Sequence, residues 1–104
     1  MRNLNDKNFQ EFIKTGASIL VFYKDHCPLC PLVVDVFQNL KEAYDQQINF
    51  FKIDVKNNQE IGKFYDIIGV PTIITIKNGK TLNSWPGLRE LETYQNIPKD
   101  LLDD

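Results

Sequence analysis

Ala17-Ser18-Ile19-Leu20-Val21-Phe22-Tyr23-Lys24-Asp25-His26-Cys27-Pro28-Leu29-Cys30 decides how this chain folds. From Ala17 to Tyr23 the residues are nearly continuously apolar and rich in branched and aromatic side chains, which reads as a strand buried on both faces. After Cys27 the period changes. Val33, Val36, Phe37, Leu40 and Tyr44 fall on one helical stripe, with Asp35, Asn39 and Glu42 on the other side. Both cysteines therefore sit where a buried strand gives way to a helix. Cys27 is expected at or next to the helix N-cap, with Pro28 at the first helical position, where a missing N–H is no loss. Pro31 still falls in the first turn, so the helix should survive it.

Upstream, Phe9, Phe12 and Ile13 recur at helical spacing, with Asn5 able to cap the start and Gly16 to end the helix. Downstream, Ile48 to Val55 reads as a second central strand, and Ile61, Phe64 and Tyr65 as a short helix. Pro71 opens a strand from Thr72 to Ile76. Asn78-Gly79 is a strong hairpin signal, joining that strand to one ending near Trp85. The segment Leu88 to Leu102 is expected to be helical, with Leu91, Tyr94, Leu101 and Leu102 available for packing and Pro98 breaking or restarting it. Strands joined by helices imply parallel pairing with right-handed crossovers, and the hairpin adds an antiparallel edge. The expected class is α/β, a central mixed sheet of four or five strands with helices on both faces.

The 104 residues, 42% hydrophobic and 25% charged, suit one globular domain spanning 1–104, with no repeats and no linker. Twelve basic and fourteen acidic residues leave a net charge of −2, which disfavours a nucleic-acid surface. Asp100, Asp103 and Asp104 read as a solvated tail. No apolar stretch approaches the roughly 18 residues of a membrane span. Met1 to Asp6 is polar and has no apolar signal core, so the expected location is cytoplasmic.

Cys27 and Cys30 are the only cysteines. A disulfide between them closes a tiny loop and constrains the unfolded chain little, so the spacing points to chemistry rather than stability. Unpaired N–H groups and the positive end of the helix dipole favour the thiolate at Cys27. Lys24 and His26 add positive potential, and Asp25 opposes it. Cys30, one turn on and less accessible, suits the resolution of a mixed disulfide formed at Cys27. Zinc takes four ligands, and this chain offers two thiolates and a poorly placed His26, so no metal is expected within one copy. Two copies could pool their cysteines around a metal or cluster. A dithiol oxidoreductase and a metal-binding, cluster-binding or docking module therefore both stand on the spacing alone.

Beyond the Cys27-Pro28-Leu29-Cys30 motif lie Gly69-Val70-Pro71-Thr72, Lys77-Asn78-Gly79, and Gly87 after Trp85-Pro86. With these the chain resembles the thioredoxin family over nearly its whole length. The resemblance implies the thioredoxin fold and a protein-disulfide oxidoreductase with Cys27 as nucleophile and Cys30 as resolving thiol. It also implies disulfide-containing protein substrates, a reductase or small thiol that restores the dithiol, a monomer and no cofactor. The Val70–Pro71 bond is then cis and lies against the dithiol, with Val70 offering its backbone N–H and C=O to an extended substrate. Pro28, Leu29, Val70 and Gly87 form the docking face, bordered by Tyr23 and Trp85.

The chain also departs from the family pattern. The buried Asp usual six residues before the first cysteine is Val21, and its usual Lys partner falls, by the expected register, on Phe50. His26 stands in place of Trp, Pro28-Leu29 in place of Gly-Pro, and Asp35 in place of a kink proline. Losing the buried pair removes a burial cost and a proton acceptor for Cys30, so resolution is expected to be slower at neutral pH than in a typical thioredoxin.

Overall fold

The fold is a computed structural model that describes residues 1–104. Along the chain run β1 (Arg2–Asn3), α1 (Phe9–Ile13), β2 (Ala17–Tyr23), α2 (Cys30–Tyr44) and β3 (Ile48–Asp54). They are followed by α3 (Gln59–Phe64), β4 (Thr72–Lys77), β5 (Lys80–Pro86) and α4 (Leu91–Leu102). The strands form one five-stranded sheet in the order β1-β3-β2-β4-β5. β1, β3 and β2 run parallel, while β4 is antiparallel to β2 and β5 antiparallel to β4.

Successive side chains of a strand point to opposite faces, and β2 uses both. Leu20 and Phe22 enter a core with Phe9 and Ile13 of α1, Ile61 of α3, and Phe51, Ile53, Ile74 and Ile76 of the neighbouring strands. Ile19 and Val21 enter a second core with Val33 and Phe37 of α2 and Tyr94, Ile97 and Leu101 of α4. Helices thus cover both faces of a mixed sheet, as the alternation of strand and helix patterns implies.

The hairpin is the two-residue turn expected. Lys77 pairs with Lys80, and Asn78 and Gly79 take φ values of 51° and 83°. Two left-handed residues give a turn whose twist matches that of the strands. Asn78 also ties the hairpin to the entry of β2. Its N–H donates to the Gly16 carbonyl at 2.9 Å, and its Oδ1 accepts from the Gly16 N–H at 2.8 Å.

Some local expectations need correction. Asn5 does not cap α1 directly. The N-cap is Asn8, and Asn5 Oδ1 accepts from the N–H groups of Lys7 and Asn8, closing the turn that leads into the helix. β1 had no sequence signal, since two residues are too short for any periodicity. The last helix starts at Leu91 rather than Leu88 and runs unbroken through Pro98. Proline there removes only the N–H that would have bonded to the Tyr94 carbonyl. Tyr94, Ile97, Pro98 and Leu101 are all buried, and that packing holds the helix across the lost bond. Leu91 and Leu102 stay exposed, and Ile97 packs instead.

Asn78→Ala removes one cross-loop acceptor and puts a β-carbon residue without local hydrogen bonding at positive φ, for an expected loss of about 2 kcal/mol in urea unfolding with the redox chemistry intact. Tyr65 supplies a second test. Its hydroxyl is buried without a partner, and burial pushes its phenol up to about 12. The folded value lies above the unfolded value of about 10, so stability is complete below pH ~10 and falls as pH rises through the folded value. Tyr65→Phe should abolish that alkaline loss and, by deleting an unpaired hydroxyl, raise stability at pH 7 by about 1 kcal/mol.

Candidate active site

β2 ends at Tyr23, and the chain enters an exposed loop, Lys24-Asp25-His26. His26 sits at φ 62°, in the left-handed region, and turns the backbone into Cys27. Cys27 is half-buried and Cys30 is 2% exposed. The two form a disulfide with their Cα atoms 5.4 Å apart.

The helix does not begin at Cys27 or Pro28. Its N-cap is Leu29, and Cys30 is its first residue. A helix capped at Cys27 would need the residue 31 N–H to donate to the Cys27 carbonyl, and Pro31 has none. The Cys30 N–H donates there instead, at 3.3 Å, closing a tighter turn. The Val33 N–H then donates to the Leu29 carbonyl at 3.2 Å. Cys27 therefore lies two residues before the cap. It remains at the positive end of a 15-residue helix, where the dipole favours an anion.

Beside the disulfide lies a concavity of about 340 Å³. Its walls are Lys24, Asp25 and His26 of the loop, Pro31, Val34 and Asp35 of α2, and Tyr23 and Lys52 of the strands. Both residues expected to tune Cys27, Lys24 and His26, thus share one wall with it. A larger concavity of about 800 Å³ lies against α3, between Gln59 and Ile68, and holds neither cysteine.

Pro28, Leu29, Val70, Pro71 and Gly87 do not line this cavity. Phe22 pairs with Thr72, which puts Val70 and Pro71 alongside the loop that follows β2. The Val70–Pro71 bond is cis, as the resemblance implied. Pro71 is buried, and its carbonyl accepts from the Gly87 N–H at 2.9 Å, which brings those two positions together. The Val70 side chain packs towards the core beneath α1 and α3, while no internal hydrogen bond takes its N–H or C=O. A backbone left open in this way can pair with an added strand. Pro28 and Leu29 are exposed on the surface. Trp85 is half-buried against the core beneath α2 and α4. Tyr23 borders the site, its hydroxyl donating to Asn3 Oδ1 at 3.4 Å. Burial raises its phenol, and Asp54 and Asp25 add to the effect.

One register expectation fails. β2 and β3 pair Ile19 with Phe50 and Val21 with Lys52. Phe50 is core, 3% exposed, and the cation opposite Val21 is Lys52. A shift of two residues keeps the face and changes the residue, so the alternation of side chains could not reveal it. The Lys52 ammonium stands 5.8 Å from the Tyr23 ring centroid. Lys52 and Asp35 are the two charged wall residues that the sequence did not assign to the site. The signal for Lys52 was a lone basic residue inside the apolar run Phe50-Phe51-Lys52-Ile53. No group of three or more His, Cys, Asp or Glu side chains is placed to hold a metal.

Comparison with known proteins points in one direction. A family model described as Thioredoxin matches residues 1–99. A thioredoxin of Staphylococcus saprophyticus is 26% identical over 94 residues, covering 90% of each chain. A thioredoxin of Bacillus subtilis is 25% identical over 92 residues, covering 88% of each. Among solved structures, a mutant thioredoxin from Halobacterium salinarum is similar with a TM-score of 0.85 and 22% identity, over 96% of this chain and 88% of that one.

Val21 is wholly buried, so Val21→Asp forces a carboxyl into apolar surroundings near a single amine. Burial raises the carboxyl above its unfolded value of about 4, so the ionisation part of the penalty is absent below that pH and grows as pH rises, on top of the pH-independent loss of apolar packing. The expected loss is about 3 kcal/mol at pH 7, read by urea unfolding at pH 4 and 7.

Proposed function

The chain belongs to the thioredoxin family and is a thiol–disulfide oxidoreductase, and from that premise we propose that it reduces protein disulfides with Cys27 as nucleophile and Cys30 as resolving thiol. The observation that carries the division of labour is burial. Cys27 is half-exposed at the positive end of α2, while Cys30 is 2% exposed on the first turn. An incoming disulfide can reach only the former.

The Cys27 thiolate attacks one sulfur of the substrate disulfide and forms a mixed disulfide, releasing the other sulfur as a thiolate. Cys30 then attacks Cys27, forms the intramolecular disulfide and releases the reduced substrate. Lys24 and His26 supply positive potential beside the attacking sulfur. The open N–H and C=O of Val70 pair with the extended substrate, next to Pro71 and Gly87, and exposed Pro28 and Leu29 supply apolar contact. The substrates are disulfide-containing proteins rather than nucleic acid. A separate reductase or small thiol returns the oxidised form to the dithiol. Such a cycle suits a monomer in a reducing compartment, the cytoplasm. No helix is long and apolar enough to cross a membrane.

The test uses the intact chain and a disulfide-bonded protein substrate. Cys27→Ser should abolish reduction, and Cys30→Ser should accumulate the substrate as a covalent adduct on Cys27, visible by mass. Turnover by Cys30→Ser at the wild-type rate without added small thiol would defeat the two-cysteine scheme.

A further inference from the structure

Resolution requires Cys30 to lose a proton, and Cys30 is 2% exposed, so that proton has no direct route to bulk water. Its outlet is the concavity beside the dithiol. Pro31 and Val34 offer no acceptor there. The titratable and charged groups facing Cys30 are Lys24, Asp25 and His26 from the loop, Tyr23 and Lys52 from the strands, and Asp35 from α2. Asp54 reaches the Tyr23 phenol but is not part of the wall.

Both carboxylates, Asp25 and Asp35, are exposed, and Asp25 lies on the loop. Asp35 is carried by the same helix as Cys30, and residues 30, 31, 34 and 35 form the helix face that walls the cavity. The helix therefore fixes the separation of the Cys30 and Asp35 backbones, five residues apart on α2. Across the cavity stands Lys52, which makes no ion pair, the one salt bridge of the protein being Lys41 with Asp45. A volume of about 340 Å³ has room for several waters at roughly 30 Å³ each.

We propose that Asp35 is the proton acceptor for Cys30 during resolution, reached through water in this cavity, with Lys52 orienting that water and the carboxylate. The step rests on the roles proposed above for Cys27 and Cys30. The Cys30 thiol gives its proton through water to Asp35. The Cys30 sulfur attacks Cys27, the Cys27–Cys30 bond forms, and the bond between Cys27 and the substrate sulfur breaks. The substrate leaves as a thiolate, which takes up a proton from Asp35 or solvent. Two electrons pass from the protein dithiol to the substrate disulfide.

The experiment reacts the reduced protein with bis(thionitrobenzoate) disulfide in a stopped-flow instrument. The first thionitrobenzoate released reports attack by Cys27, and the second reports resolution by Cys30. Asp35→Asn should slow the second release about tenfold or more at pH 7 and make it climb more steeply with pH as hydroxide takes over, with a far smaller effect on the first release. Asp35→Glu should restore most of the rate, and Asp25→Asn, whose charge bears on the first release, should leave the pH profile of the second as in the wild type. A second release in Asp35→Asn with the wild-type rate and pH profile overturns the proposal. So does a slowing of equal size at every pH, which is what a purely structural effect gives. Cys30→Ser separates the two levels of inference. If it holds the thionitrobenzoate adduct on Cys27 while Asp35→Asn behaves as wild type, the role of Asp35 fails and the cysteine roles stand. If it does not hold the adduct, the cysteine roles fail and the proposal with them.

Discussion

β2 has to satisfy two cores at once, and the rest of the molecule is arranged around that constraint. Ile19, Leu20, Val21 and Phe22 are each 0% exposed, two to each face. Fully burying such side chains contributes about 1.5–3 kcal/mol apiece, a sum comparable to the whole net stability of a typical domain. A strand of this kind cannot lie at an edge. β3 pairs with one side of it and β4 with the other, while α1 and α3 cover one face and α2 and α4 the other. The dithiol loop begins where this most tightly held strand ends, which places a reactive pair on a rigid support.

What the loop does with that support is set by proline. Of residues 28 to 31, Pro28 and Pro31 have no N–H, and the Cys30 N–H is engaged by the Cys27 carbonyl. Only the Leu29 N–H has no internal acceptor. A simple cap at Cys27 would turn several amide donors toward the sulfur. Here most of them are missing or spoken for. The electrostatics of the dithiol then lean on the helix dipole and on the charged walls, Lys24, His26 and Lys52 against Asp25 and Asp35.

The parts of this arrangement that were legible in the sequence are those governed by local interactions. Ala17–Tyr23 has the short, branched and aromatic composition of a doubly buried strand, and its bounds match β2. Asn78-Gly79 calls for a primed turn because both residues tolerate positive φ. The two cysteines and the later proline were visible as motif. What escaped depends on partners distant in sequence. β1 exists only because β3 offers it an edge. Pro98 stays helical because Tyr94, Ile97 and Leu101 are buried around it, which overrides its local preference. Lys52 was missed because inter-strand register is a tertiary fact, and a slip of two residues leaves the face pattern unchanged.

The pairing of Val21 with Lys52 bears on how the charges are distributed. A carboxylate at position 21 would sit in a core with Val33 and Phe37, where desolvation costs several kcal/mol unless the ion is well paired. Valine there adds to the core instead. Of the two carboxylates of the cavity, the one on regular structure is Asp35, an exposed residue on the adjoining helix, where solvent supplies most of its hydration. Cation and carboxylate thus remain on the same cavity, one from the strand and one from the helix, without a charge in the sheet interior. The stability of β2 rests on Val21 and its apolar neighbours, and the proton chemistry of Cys30 on Asp35 and Lys52 at the cavity wall.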